Sequence, residues 1–169
     1  MRLKLNVGCG LRRLPGYTGI DAVARSAADI VAPAHQIPLE EGCADEVLAI
    51  HLVEHILPWE LKTALLEWNR LLAADGRLIL ELPDLAKCCR NILDGLAGPK
   101  HPDQLGMWGL FGDDRSQDPY MLHRWAYTFA TLKPIVKSAG FTDIVEKPTV
   151  WHPVGRNIRD FRLEARKAN

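Results

Sequence analysis

The chain opens with an apolar run, Leu3 to Val7, that empties directly into Gly8-Cys9-Gly10. A second apolar run, Tyr17 to Ala22, ends in Asp21, eleven residues after Gly10. A strand followed by Gly-x-Gly is how a parallel α/β sheet lets backbone turn sharply and approach a ligand without a Cβ in the way. An acid closing the next strand is placed to accept hydrogen bonds from two ribose hydroxyls. The other reading of Asp21 is a turn or capping residue. Parallel neighbours normally need a crossover of a dozen or more residues, usually a helix. Eleven residues leave no room for one, so this sequence predicts a loop in place of the first helix.

The rest of the chain alternates apolar runs with helical patterns, which predicts α/β architecture with a mostly parallel sheet. Ala28–Ala32 and Asp45–His51 read as strands three and four, the latter apolar enough to be buried on both faces. Leu61, Ala64, Leu65, Trp68, Leu71 and Leu72 recur at helical spacing, with Pro58 at the first helical position and Asp75-Gly76 as the stop. Strand five is Arg77–Pro83, followed by a helix over Asp84–Leu96. Residues 98–127 lose all periodicity and mix glycine, proline and aspartate with aromatics. Such a stretch predicts a functional loop over the strand ends. A helix follows over Thr131–Phe141, with Pro134 in its first turn. Two strands, Phe141–Thr149 and Asn157–Lys167, then form an antiparallel hairpin.

All 169 residues are expected to form a single domain. Lysine plus arginine balance aspartate plus glutamate at 21 each, which argues against a nucleic-acid partner. The basic cluster Arg156, Arg159, Arg162, Arg166 and Lys167 reads as a solvated strand edge. No run has the length of a membrane span, and no signal peptide is expected. Cys9, Cys43, Cys88 and Cys89 fit no zinc spacing, and adjacent Cys88-Cys89 makes a poor disulfide. A reduced, cytoplasmic protein with free thiols is expected.

In an open parallel sheet the ligand lies where strand order reverses, here between strands one and four. Dinucleotide sites place pyrophosphate at the N-terminus of the first helix and use a third glycine, where this chain has Arg13. That weighs against a nicotinamide cofactor. S-adenosylmethionine carries no phosphate and needs neither feature.

At this point the sequence resembles a known family. LNVGCG, GIDA, IPLEEGCADEVLAIHLVEHI, LLAADGRLILELPD and SAGFTDI, in this order, are similar to the motifs of class I S-adenosylmethionine-dependent methyltransferases. They are similar in particular to a small bacterial subgroup with an LNLGCG-type first motif and a loop in place of the first helix. The resemblance implies a Rossmann-like, doubly wound, seven-stranded sheet with an antiparallel last strand. It implies S-adenosylmethionine as cofactor, S-adenosylhomocysteine as product, and an acceptor yet to be identified, a small molecule or sugar being favoured. By the same resemblance Gly8, Cys9 and Gly10 line the methionine tail, and Asp21 with Ala22 holds the ribose. Ala34 and His35 border the adenine, while His51 and Leu52 close the other side. Pro33 departs from the pattern, which has an aspartate there for the adenine amino group. The alternative function is a non-catalytic cofactor-binding assembly partner.

Methyl transfer from a sulfonium needs alignment, and a base only for a protic acceptor. His123 and His51 are the catalytic candidates, because imidazole titrates near neutral pH. The alternative for His123 is simple packing on Trp125. Glu54-His55 has a structural alternative as a capping and hydrogen-bonding pair. HLVEH lacks the His-Glu-x-x-His order, so no metal is expected. The helices that often precede the first strand are missing, so the acceptor side is open unless a second copy in a homodimer completes it.

Overall fold

The computed structural model describes residues 2–24, 26–151 and 158–168. Strands β1 (Leu3–Val7), β2 (Thr18–Asp21), β3 (Ile30–Val31), β4 (Ala44–Ile50), β5 (Leu72–Pro83), β6 (Phe141–Lys147) and β7 (Asp160–Lys167) form one sheet. Its order is β3-β2-β1-β4-β5-β7-β6. The first five strands run parallel, and β7 lies antiparallel between β5 and β6. This is the doubly wound, Rossmann-like α/β sheet that the sequence predicts, with its reversal point between β1 and β4. Residues 8–17, linking β1 to β2, contain no helix.

Helices α1 (Leu61–Leu71), α2 (Leu85–Leu93), α3 (Met107–Phe111) and α4 (Phe129–Ser138) complete the fold. Helix α1 buries Leu61, Ala64, Leu65, Trp68 and Leu71 against the sheet. It also fixes the loop after β3. Trp68 Nε1 donates to the Ala34 carbonyl at 2.8 Å, and Arg70 donates to the Ile37 and Leu39 carbonyls. Glu67 accepts from the Ile37 amide at 2.8 Å. The loop that is to meet the ligand is thus held by one helix face.

Several boundaries differ from the sequence reading. Pro58 lies in a turn ahead of α1, where the Leu57 carbonyl accepts from Glu60 and Leu61. The helix ends at Leu71, four residues before Asp75, because Leu72 and Ala73 bury their side chains in β5. Asp75, at φ 58°, and Gly76 then lie in an irregularity of that strand rather than at a helix stop. β3 has only two residues. Pro134 falls in the second turn of α4, because Thr128 and Thr131 cap that helix reciprocally and start it at Phe129.

The basic cluster is not a solvated edge. β7 is an interior strand, so Arg159 and Arg162 are buried and paired, with Asp160 and with Glu81 and Glu164 respectively. Arg166 and Lys167 donate to the carbonyls of Asp75 and Leu72, and Arg156 lies outside the described residues. The strand expected over Asn157–Lys167 is described from Asp160, and Asn157 likewise lies outside the described residues.

Candidate active site

The carboxyl ends of β1, β2 and β4 open onto a cavity of about 620 Å³. All the residues that the resemblance assigns to the cofactor line it except Cys9. Cys9 is buried, and its thiol sits where a side chain on Gly19 would be, 3.1 Å from that ideal Cβ. It is a packed residue, and burial pushes its thiol pKa up.

Gly8 is required twice over. Its φ is +72°, and a Cβ there would meet Leu52 Cδ1 at 2.8 Å. Gly10, at φ +56°, faces open space with nothing within 4 Å of its ideal Cβ. The Asp21 carboxylate accepts from Gly10 N and Val23 N, each at 2.9 Å. It therefore laces the two ends of the turn together, as the capping alternative requires. It also lines the cavity, and each carboxylate oxygen keeps a second lone-pair site for a hydroxyl. Pro33, Ala34 and His35 line the same end. Trp68 takes the Ala34 carbonyl, which leaves the N–H groups of the Ala34-His35 turn as that wall's backbone donors.

The opposite end is built by a 3₁₀ turn, Val53–His55, and by residues 107–124. The long segment is not a free loop. It contains α3 and two 3₁₀ turns, Asp114–Ser116 and Pro119–Met121. Its amides reach back across the site: His123 N donates to the Phe111 carbonyl, and Arg124 N and Trp125 N to the Glu54 carbonyl. Trp108, Tyr120, Met121, His123 and Arg124 are cavity walls.

Glu54 is buried at the centre of this end. Its Oε1 accepts from His51 Nδ1 at 3.0 Å and lies 4.0 Å from His123 Nε2. His51, at φ 51° on the end of β4, places its Nε2 3.3 Å from Asp160 Oδ2. Asp160 is itself paired with Arg159. Burial disfavours the His51 cation, yet Asp160 and Glu54 outweigh it and raise its pKa to about 9. The two carboxylates favour the protonated ring, a form that has no lone pair with which to take a proton.

His123 is the opposite case. Burial lowers its pKa to about 4 against the pull of Glu54. Its Nδ1 is 3.1 Å from the Gly109 carbonyl. A carbonyl only accepts, so Nδ1 carries the proton and Nε2 keeps the lone pair. His123 packs edge-on against His55, with centroids 4.7 Å apart, and Trp125 is half-exposed. His55 is oriented in the same manner, through Nδ1 to the Leu122 carbonyl at 3.1 Å. Glu54, Asp160 and Arg159 were not singled out as site residues by sequence. Glu54 was legible only within HLVEH and Arg159 only within a basic cluster that read as surface, while nothing marked Asp160.

Residues 5–80 match the family model described as a methyltransferase domain. That match covers 76 of the 169 residues. Three solved structures share the fold of this chain. An S-adenosylmethionine-dependent methyltransferase of Thermotoga maritima is 15% identical, with a TM-score of 0.66, over 99% of this chain and 83% of that one. One from Archaeoglobus fulgidus is 18% identical, TM-score 0.60, over 98% and 86%. A Haemonchus contortus phosphoethanolamine N-methyltransferase, solved with phosphomonomethylethanolamine and S-adenosylhomocysteine, is 11% identical, TM-score 0.60, over all of this chain and 50% of that one. No curated protein sequence matches the chain.

The residues at this end fit a cofactor that carries no phosphate, as S-adenosylmethionine does. The turn offers an open Gly10 and a carboxylate that lines the cavity, while the loop after β1 lacks the helix that a pyrophosphate needs. Among the described residues no helix is long and apolar enough to cross a membrane.

Proposed function

We infer that the chain transfers the methyl group of S-adenosylmethionine to a protic acceptor, a small molecule or sugar, held between the Gly8-Gly10-Asp21 turn and His123. The observation that carries this reading is one cavity with the cofactor turn at one end and an imidazole lone pair at the other. The bound cofactor supplies a methyl group on a sulfonium, reactive without covalent help from the protein.

The chain supplies alignment. Gly8 and Leu52 in contact fix the floor, Asp21 and Ala22 hold the ribose, and Ala34 and His35 border the adenine. Cys9 shapes the turn only through its backbone. His51, as a cation between Glu54 and Asp160, holds Glu54 in place. His123 Nε2 accepts a hydrogen bond from the acceptor and takes its proton as the new bond to carbon forms. A weak base suffices, because a methylated oxygen or nitrogen that still bears its proton becomes far more acidic than the starting acceptor. The four free thiols fit a cytoplasmic protein.

Two measurements test the reading. S-adenosylhomocysteine at a hundredfold excess over its dissociation constant should add about 2.7 kcal/mol of stability. NAD should add none, and an equal shift with NAD refutes the cofactor assignment. His123→Ala should leave S-adenosylhomocysteine affinity within twofold while lowering methylation by roughly 10²–10⁴-fold. Cofactor binding without turnover on any acceptor in a broad screen would favour the assembly-partner alternative.

A further inference from the structure

We propose that Glu54, His55 and His123 form a three-ligand site for a divalent transition-metal cation of the zinc type, and that the acceptor is an oxygen compound ligating that cation. This deepens the methyltransferase reading above and rests on it for the acceptor. One ligand atom from each of the three side chains lies within 4.8 Å of the other two. The sequence pattern excluded a metal because the spacing within HLVEH is wrong for one helix. The tertiary structure brings in the missing ligand from His123, on a different segment.

Three observations point to a ligand rather than to a packed cluster. Both imidazoles donate Nδ1–H to a backbone carbonyl, His55 to Leu122 and His123 to Gly109, at 3.1 Å each. That fixes the tautomer with the Nε2 lone pair outward, the way metal-ligating histidines are held. Next, Glu54 is buried, and its Oε2 has no hydrogen-bond partner among the described residues. An orphaned carboxylate oxygen in the interior is costly to leave unmet. Finally, Glu54 is itself positioned: His51 holds Oε1 at 3.0 Å, and Asp160 and Arg159 hold His51. The two histidines also line the cavity that holds the cofactor turn, so a cation there faces the acceptor space.

Two imidazoles and one carboxylate suit zinc, iron, cobalt or nickel, and not magnesium or calcium, which prefer all-oxygen shells. Tetrahedral coordination with bonds near 2.1 Å sets ligand atoms about 3.4 Å apart. The His123 Nε2–Glu54 Oε1 separation of 4.0 Å closes by a small side-chain adjustment. Three protein ligands leave a position open, as in catalytic rather than structural zinc sites. An added dication makes this end of the cavity more positive. It then favours an acceptor with a hydroxyl beside a second oxygen, such as a hydroxy acid or a vicinal diol. A hydroxyl ligated there is acidified, its proton leaving to water. With the cation bound, His123 Nε2 ligates it in place of taking the acceptor's proton directly.

The test uses the full chain, stripped with chelator and dialysed, and Zn(II) as the probe in titration calorimetry. Co(II) absorption reports the ligand geometry. One Zn(II) per chain should bind saturably. His55→Ala and His123→Ala should each weaken it at least about 100-fold, beyond the loss of a mere supporting hydrogen bond. His101→Ala, outside the cluster, should not. Circular dichroism checks that each variant is folded, and Glu54→Gln, which keeps the shape, provides a second route to the same loss. Acetohydroxamate, a bidentate oxygen ligand, should bind the Zn(II)-loaded chain and not the stripped one. Absence of saturable Zn(II) binding, or binding untouched by His55→Ala and His123→Ala, overturns the site. Zn(II) binding without acetohydroxamate binding overturns the acceptor class. S-adenosylhomocysteine affinity, measured on the same stripped chain, reports separately on the methyltransferase reading.

Discussion

Replacing Asp21 with asparagine separates the two tasks of one carboxylate. In the structure both oxygens are already engaged, one by Gly10 N and one by Val23 N, at 2.9 Å each. Asparagine keeps one acceptor and turns the other into a donor that faces an N–H. One backbone donor then loses its partner, which costs about 1–3 kcal/mol, towards the lower end here because the site is half-exposed. Ribose binding loses one charge-assisted bond and weakens the other. A single hydrogen bond to a charged group is worth roughly 1.5–3 kcal/mol, or about 10- to 150-fold in affinity. Asp21→Asn should therefore lower both the urea-unfolding stability and the S-adenosylhomocysteine affinity. Calorimetry on the folded variant, below its unfolding transition, measures the second effect alone. If stability falls and affinity stays within twofold, Asp21 only laces the turn and the ribose is held by other groups.

Other outcomes follow from the same geometry. Gly8→Ala sets a Cβ 2.8 Å from Leu52 Cδ1 at a φ of +72°, so it should cost roughly 1–3 kcal/mol of stability. It should also lower cofactor affinity, whereas Gly10→Ala, strained but unobstructed, should act mainly on binding; thermal melts with and without S-adenosylhomocysteine distinguish the two. Trp68→Phe removes the bond to the Ala34 carbonyl while keeping the packing, at about 0.5–1.5 kcal/mol. Its hydrogen–deuterium exchange should rise in residues 33–37 before it rises in α1. Burial opposes the charge on Glu46, but hydrogen bonds from Tyr17 and Arg77 outweigh it and hold its pKa below the ordinary carboxylate value. That pair thus contributes stability above the unfolded glutamate pKa of about 4.3, and the contribution is lost as pH falls through the lower folded value. Acid titration of Glu46→Gln should show a shallower loss over that window.

The β1–Gly-x-Gly–β2 unit was legible because its information is local. The apolar run, the glycines and Asp21 lie within nineteen consecutive residues, Leu3–Asp21, and the missing helix is a matter of counting. The helix faces were legible for the same reason, since a repeat near 3.6 is written along the chain. Termini of elements were less so. Whether Leu72 ends a helix or begins a strand depends on a pairing with Ala44, and Ala44 is remote in sequence. The charges of β7 misread for a like reason. Alternation of Arg159, Asp160, Arg162 and Glu164 looks like a wetted face until β6 is known to cover the strand's other edge.

The chemistry of the histidines was decided only in three dimensions. In sequence His51 and His123 are both candidates as imidazoles that titrate near neutral pH, His123 first because it lies in the long loop. The fold sets Asp160 and Glu54 against one and buries the other beside a carbonyl, and the same side chain becomes a cation in the first place and a lone-pair donor in the second. Glu54 and His123 meet because Arg124 N and Trp125 N bond to the Glu54 carbonyl and draw their segment back across the end of β4. Local spacing carries the sign of a turn or a helix face, while a protonation state depends on which charges the whole chain brings within a few ångströms.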